Sequence, residues 1–279
     1  MSLSWNLGAS PLTRDRRILT GVIAVSLGVA PILSYAIYSY RRWLELGPGG
    51  VPYDVRGYLA NVIARPFARF DLRAVAPYTM EETRPLYGDL GHVSFFAHGK
   101  DGGGDLPQLP PRRNGERPDV PTYVVPQRQM TEQASQSMET RQEAFIAAVA
   151  AANASLLRLE ASALEGRTHD ALWLAADDQA GGDLPPMLRR TKGEFMHPHR
   201  EGSSHGIFSL TDAARLIELG WAERHPLTGI KTRVGMPWSY IFIYAPRNDE
   251  EFAVWKSIVM AAVHFVAAAS GRAVVVKTP

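Results

Sequence analysis

Between Ile18 and Tyr40 the chain runs for 23 residues without a charged side chain. A helix needs about 20 consecutive apolar residues to cross the hydrocarbon core of a bilayer, so this run predicts one N-terminal transmembrane helix. Arg14, Arg16 and Arg17 precede it and Arg41 and Arg42 follow it. Tyr35, Tyr38, Tyr40 and Trp43 gather at the second end, where interfacial aromatic rings collect. Pro31 lies inside the run, a position that membrane helices tolerate. Two alternatives are a cleaved signal peptide, for which the run is long and lacks a clear cleavage site, and a buried core helix. The expected placement is single-pass in a membrane, that of the endoplasmic reticulum. Arginines at both ends leave the sidedness open.

The remaining sequence limits partners and chemistry. Thirty basic residues against 28 acidic ones give no electrostatic case for nucleic acid. There is no cysteine, which excludes disulfides, thiolate metal sites and cysteine nucleophiles.

Five segments are expected: a tail over residues 1–17, the span over 18–40, a juxtamembrane helical segment over 41–96, a Gly/Pro-rich loop over 97–126 and an α+β domain over 127–279. Asp54 to Phe70 reads as a short amphipathic helix ended near Arg65 by Pro66, resting on the membrane surface or packed on the main domain. The loop reads as long, mobile and solvated. Thr131 to Glu165 reads as one long helix, with Phe145, Val149, Ala152, Leu156 and Leu159 on one face. His169 to Ala175, Ile207 to Leu210 and Trp238 to Ala245 read as strands. Thr211 to Leu219 reads as a helix, and so does the stretch from the Asn248 cap to Ala269. Interleaved strands and helices predict an α+β fold: a single sheet covered by two long helices.

Four of the eight histidines lie between Glu194 and His225. His197 and His199 are two apart, so an extended backbone points both to one side. Pro198 between them suits an edge strand or loop. His205 follows a Gly-Ser-Ser turn able to fold it back towards the pair. From residue types alone three readings stand: hydrogen-bonded structural imidazoles, general bases, or metal ligands. Arg247, between a strand and a helix start, either binds an anion there or braces the turn.

Taken in order, RRTKGEFMHPH, the Gly-Ser turn with His205, DAARLIELGWAERHPL and WSYIFIYAPRNDEE resemble the fungal luciferase family. WLELGP, VRGYL and VVPQRQ extend the similarity upstream, so that it covers most of the chain outside the loop. The resemblance implies an oxygenase that joins O2 to a 3-hydroxy-2-pyrone, of the 3-hydroxyhispidin type, through a peroxide that closes and loses carbon dioxide. It implies no organic cofactor, with O2 as co-substrate, and no metal is assigned. Arg200 to Gly202 and Ala222 depart from the luminous pattern, so light emission stays open. In that chemistry His197, His199, His205 and His225 are the candidate bases for the enol proton. Arg190, Lys192, Arg224 and Arg247 are candidate oxyanion donors. Trp221, Trp238, Tyr240 and Tyr244 are candidate walls against water. The alternatives are a metal-dependent hydrolase or oxygenase using the same histidines, and a non-catalytic, membrane-tethered binder of small aromatic metabolites.

Overall fold

The computed structural model describes residues 11–97, 105–175 and 184–279. The chain divides after Glu45 into two units.

The first unit is α1, Pro11–Leu44, a single 34-residue helix that passes through Pro31 and ends with Arg41 and Arg42 in its last turn. At 1.5 Å per residue such a helix is about 51 Å long. Part of the expected span, the side chains of residues 18 and 21–28, lies outside the described residues. Of the remainder, Leu19, Val29, Ile32, Leu33, Tyr35, Ile37 and Tyr38 are exposed.

The second unit begins with α2, Val55–Ala64. Asp54 caps it by accepting from the Arg56 and Gly57 amides, and the 3-10 turn Arg65–Phe67 ends it at the expected proline. Helix α3, Met80–Tyr87, starts in a reciprocal capping box between Thr79 and Glu82. There follow α4 (Gln136–Ala152), β1 (Leu157–Ala161), β2 (Asp170–Leu174), β3 (Glu194–Pro198), β4 (Ser204–Ile207), α5 (Leu210–Glu218), β5 (Ala222–Arg224), β6 (Tyr240–Ile243) and α6 (Asp249–Ser270). The strands form one antiparallel sheet in the order β1-β2-β3-β4-β6-β5. The α+β class with a single sheet is as expected. Helix α4 packs on β1 to β3 and α6 on β3 and β4.

The long helix expected over Thr131 to Glu165 is shorter. It stops at Ala152, where Asn153 donates to the Val149 carbonyl and to that of Lys277. Leu157 and Leu159 then alternate with Arg158 and Glu160 as a strand, paired with Leu174 and Leu172. The spacing of Leu156 and Leu159 fits either a helix or a strand, and the free edge of β2 selects the strand. The Gly/Pro-rich segment also departs from a solvated loop over its described part. Residues 105–126 pack beside the sheet, with Val124 and Arg113 buried and Arg117 donating to the Ala222 and Ile217 carbonyls.

Strand alternation divides the sheet into two chemical faces. Leu172, Met196, Gly206 and Ile241 pair across one row, and the core beneath α4 and α6 includes Leu172, Met196 and Ile241. The next row pairs His197 with His205, His205 with Phe242 and Phe242 with Glu223. A helix-covered hydrophobic face thus backs a polar face. Among the described helices, α6 is long and apolar enough to cross a membrane, and most of it is buried against the sheet.

Candidate active site

The β3–β4 hairpin assembles the histidine layer. Gly202 in its turn has φ 87°, and a Cβ there would strike Ala134, so only glycine fits. The turn sets His205 opposite His197 in register and brings His205 Nδ1 to 3.0 Å from His199 Nε2. Contrary to the edge position expected from Pro198, β3 lies inside the sheet, and Pro198 is its last residue. His225, just past β5, stands edge-on to His205, and Tyr240 stacks on His205 at 4.7 Å between ring centroids. All four histidines are buried.

Each ring is held from behind. His197 Nδ1 donates to Glu194 Oε1 at 2.7 Å. Glu194 in turn accepts from Ser162 Oγ and the Ala163 amide. His199 Nδ1 meets Ser203 Oγ at 2.8 Å, and Ser203 donates to Glu201. His205 Nε2 meets Gln127 Oε1 at 3.1 Å. The Gln127 amide nitrogen faces Glu223 Oε1 and the Arg224 carbonyl, so its oxygen is the atom towards His205. His225 Nδ1 accepts from the Leu227 amide at 3.1 Å, which places the proton of a neutral ring on Nε2. Glu165, from the turn after β1, lies 3.7 Å from His197 Nε2 and 3.6 Å from His199 Nε2, and pairs with Arg128 on its other oxygen.

None of the four rings keeps the near-neutral pKa of free histidine. Burial opposes protonation of His197, but Glu165 and Glu194 on its two sides outweigh that and carry it up to about 9. Burial, reinforced by Arg128, takes His199 down to about 4. Burial and the neighbouring rings hold His205 well below the usual histidine range. Burial, helped by His197 and His199 and opposed by Glu165, carries His225 down to about 3. Burial raises the Glu165 carboxyl, but Arg128 and His199 more than offset this and hold it well below the usual carboxylate range. Burial pushes the Tyr240 hydroxyl well above the ordinary phenol value.

A cavity of about 360 Å³ opens beside this layer, lined on its polar side by Gln127, Glu165, Arg190, His205, His225 and Tyr240. That volume lies within the range of roughly 300–1,000 Å³ typical of small-ligand sites. Ala60 and Ala64 of α2 form part of its apolar wall.

Six of the expected site residues lie elsewhere. Lys192 is exposed. Arg224 is fully buried and spends its guanidinium on the Ala74, Val75 and Trp238 carbonyls. Trp221 donates to the Pro111 carbonyl in the core. Trp238 packs against Tyr78 and beneath Arg69. Tyr244 donates to Glu223. Arg247 braces the start of α6 by binding Glu251, Glu132 and the Asn114 carbonyl. Arg190 reaches the cavity wall, while its guanidinium donates to the Thr232 and Gly235 carbonyls. Four residues the sequence reading passed over belong to the layer: Gln127, Arg128, Glu165 and Glu194. Gln127 and Arg128 sit in VVPQRQ and Glu194 opens EFMHPH, but Glu165 was hidden at the end of an expected helix.

The Glu251 network makes a pH prediction. Its carboxylate accepts from the Arg247 amide at 3.0 Å and the Arg247 guanidinium, with Arg113 Nη2 at 3.4 Å. Burial raises its pKa, and the Arg247 contacts outweigh that and lower it. A carboxyl depressed in the folded state stabilises above its unfolded pKa, and that contribution is lost as pH falls through the folded value. Glu251→Gln is expected to cost about 3 kcal/mol near neutral pH, because Arg113 is left buried with a weakened partner. The gap to wild type in urea-unfolding free energy should narrow steadily below pH 4.5, the ordinary glutamate value; a gap that stays constant with pH would remove this assignment.

Residues 192–262 match the family model described as the Luciferase domain. The chain is 28% identical over 259 residues to a luciferase of Armillaria ostoyae, an alignment covering 91% of this chain and 90% of that one. It is 28% identical over 262 residues to a luciferase of Neonothopanus nambi, covering 91% of this chain and 88% of that one. A luciferase of Armillaria mellea is 27% identical over 259 residues, with 91% and 90% covered. No solved structure matches. Residues 192–262 are thus similar to the Luciferase domain and the chain to the fungal luciferases over most of its length, with all four histidines of the layer inside the matched segment.

Proposed function

We propose that this chain is a membrane-anchored, luciferase-like oxygenase that joins O2 to a 3-hydroxy-2-pyrone in the cavity beside the histidine layer. The observation that carries the reading is the cavity where His205, His225 and Tyr240, all within the segment similar to the Luciferase domain, meet Gln127 and Glu165. Loss of the enol proton gives an enolate, the species that donates an electron to O2. The ring carbon then bonds to oxygen, and the peroxide closes on the lactone carbonyl and expels carbon dioxide. His225, with its proton on Nε2, is a donor for the developing oxyanion rather than the base that takes the enol proton. The acceptor facing the cavity is the Glu165 carboxylate, since both His205 ring nitrogens are engaged, by Gln127 and by His199. Apolar walls keep water from the peroxide.

Anchoring rests on α1, whose uncharged run lies within one continuous helix and whose described apolar side chains are largely exposed. Helix α2 and the turn after it add exposed Val55, Leu59, Val62, Ile63 and Phe67, as an interfacial helix has. Because α2 also walls the cavity, a hydrophobic pyrone dissolved in the endoplasmic reticulum membrane has a short route in.

A single experiment tests both parts. Membranes carrying the full chain are washed with alkaline carbonate, then given a panel of hydroxylated 2-pyrones while oxygen and photons are recorded. The washed membranes are expected to keep the chain and to consume oxygen with 3-hydroxy-2-pyrones but not with their 3-deoxy analogues. Release of the chain by carbonate would overturn the anchor. Saturable pyrone binding without oxygen uptake would make the protein a binder.

A further inference from the structure

We infer that the layer holds one divalent first-row transition-metal ion, bound by Glu165, His197, His199 and His205. This deepens the reading of the same site without depending on its substrate.

The case begins with where the protons sit. Ser203 gives its only proton to Glu201, so His199 must donate from Nδ1, which leaves a lone pair on Nε2. Gln127 presents its carbonyl oxygen, so His205 must donate from Nε2, which leaves a lone pair on Nδ1. These two lone pairs face each other at 3.0 Å with no proton to share unless one ring becomes a buried imidazolium. His197 donates from Nδ1 to Glu194, and its buried Nε2 has no hydrogen-bond partner. Glu165 Oε1 lies 3.7 and 3.6 Å from the His197 and His199 Nε2 atoms. The outer partners therefore turn four acceptor atoms inward, and these four residues offer ligand atoms all within 4.8 Å of one another.

The spacing and the charge agree with that set. Ligands about 2.1 Å from a common ion are separated by roughly 3.0–3.4 Å in octahedral or tetrahedral geometry. Three of the six separations, at 3.0 to 3.7 Å, lie close to that range, and the others stay within 4.8 Å, so the side chains draw inward to close on one centre. Glu165 and Glu201 share one guanidinium, that of Arg128, and a third carboxylate, Glu194, stands behind His197. Once His197 has given up its Nε2 proton to an incoming ion, as a ligand must, neutral rings leave two uncompensated negative charges, which a divalent ion balances. A carboxylate behind His197, a Ser–Glu relay behind His199 and an amide behind His205 are the outer contacts that fix the ring tautomer in metal sites. Three imidazoles and one carboxylate suit iron, manganese, cobalt or zinc over magnesium or calcium.

Cobalt(II) is the probe, because its ligand-field absorption reports the donor set independently of turnover. Untagged full-length protein in detergent is stripped with chelator, dialysed and titrated with Co²⁺. One equivalent is expected to bind, with visible bands and a raised melting temperature. Glu165→Gln and His199→Gln should each weaken binding by more than about 100-fold, and Glu194→Gln by about 10–100-fold, as outer partners do. His264→Gln, on α6 away from the layer, should bind as wild type. Far-UV circular dichroism checks each fold, and the melting shift of unaltered protein stands by itself if a variant unfolds. Folded wild type that takes up no equivalent, or cobalt bands unchanged in folded Glu165→Gln and His199→Gln, would overturn the site. Oxygen uptake on the pyrone panel is read separately, so loss of the metal site leaves the oxygenase reading to its own test.

Discussion

Replacing His225 by Ala is expected to lower oxygen uptake on a 3-hydroxy-2-pyrone by about 10²–10³-fold while the protein stays folded, the loss typical of removing one oxyanion donor. His225 lines the cavity, and its ring accepts from a backbone amide, that of Leu227, which water can satisfy after the change. His197→Ala should behave differently. It removes the partner of Glu194 and a neighbour of Glu165, leaving two buried carboxylates poorly compensated, at a cost of about 3–5 kcal/mol. Oxygen uptake and thermal unfolding measured together separate the two outcomes. A His225→Ala protein that retains full activity, or loses it only by unfolding, removes His225 from the chemistry.

Arg224→Ala should be the most destabilising single change outside the layer. The side chain is fully buried, donates to three backbone carbonyls, and lies over the Tyr78 ring at 5.3 Å. Truncation leaves those carbonyls without donors and opens a cavity, for a cost on the order of 4 kcal/mol. Arg224→Lys recovers little, since an ammonium does not reproduce the planar fork that reaches Ala74, Val75 and Trp238. Equilibrium unfolding in urea measures both. An Arg224→Ala protein as stable as wild type, with pyrone binding impaired, would return Arg224 to the substrate-contact role that its residue type first suggested.

The difference between Arg224 and His225, adjacent in sequence, shows how the information divides. Local chemistry was legible wherever neighbours along the chain determine it. The Asp54 cap, the stop at Arg65 and Pro66, the Asn248 cap and the apolar stripe of α6 all follow from contacts within a few residues. The folding back of His205 onto the HxH pair was legible for the same reason, because a short Gly-containing turn permits little else. The class of fold followed from the alternation of periodicities.

What the sequence could not disclose depends on contacts made across long separations. The stretch around Leu157 and Leu159 satisfies a helix and a strand alike, and β2 decides between them only once the sheet exists. That decision carries Glu165 out of an expected helix and onto the histidines, more than thirty residues ahead of them. Gln127 and Arg128 come from a stretch at the start of the expected α+β domain to which no element could be assigned, and the sheet's polar face buries them. Arginine and tryptophan serve equally as ligand contacts and as internal braces, so Arg224, Trp221 and Arg247 could be sorted only by the carbonyls and carboxylates around them. By itself the sequence determined the local elements, the apolar N-terminal run, the histidine hairpin and the family resemblance. Tertiary structure alone decided which face of the sheet is polar, which carboxylates stand behind and beside the histidines, and which way each ring nitrogen is turned, because burial and hydrogen-bond partners exist only after distant segments have packed.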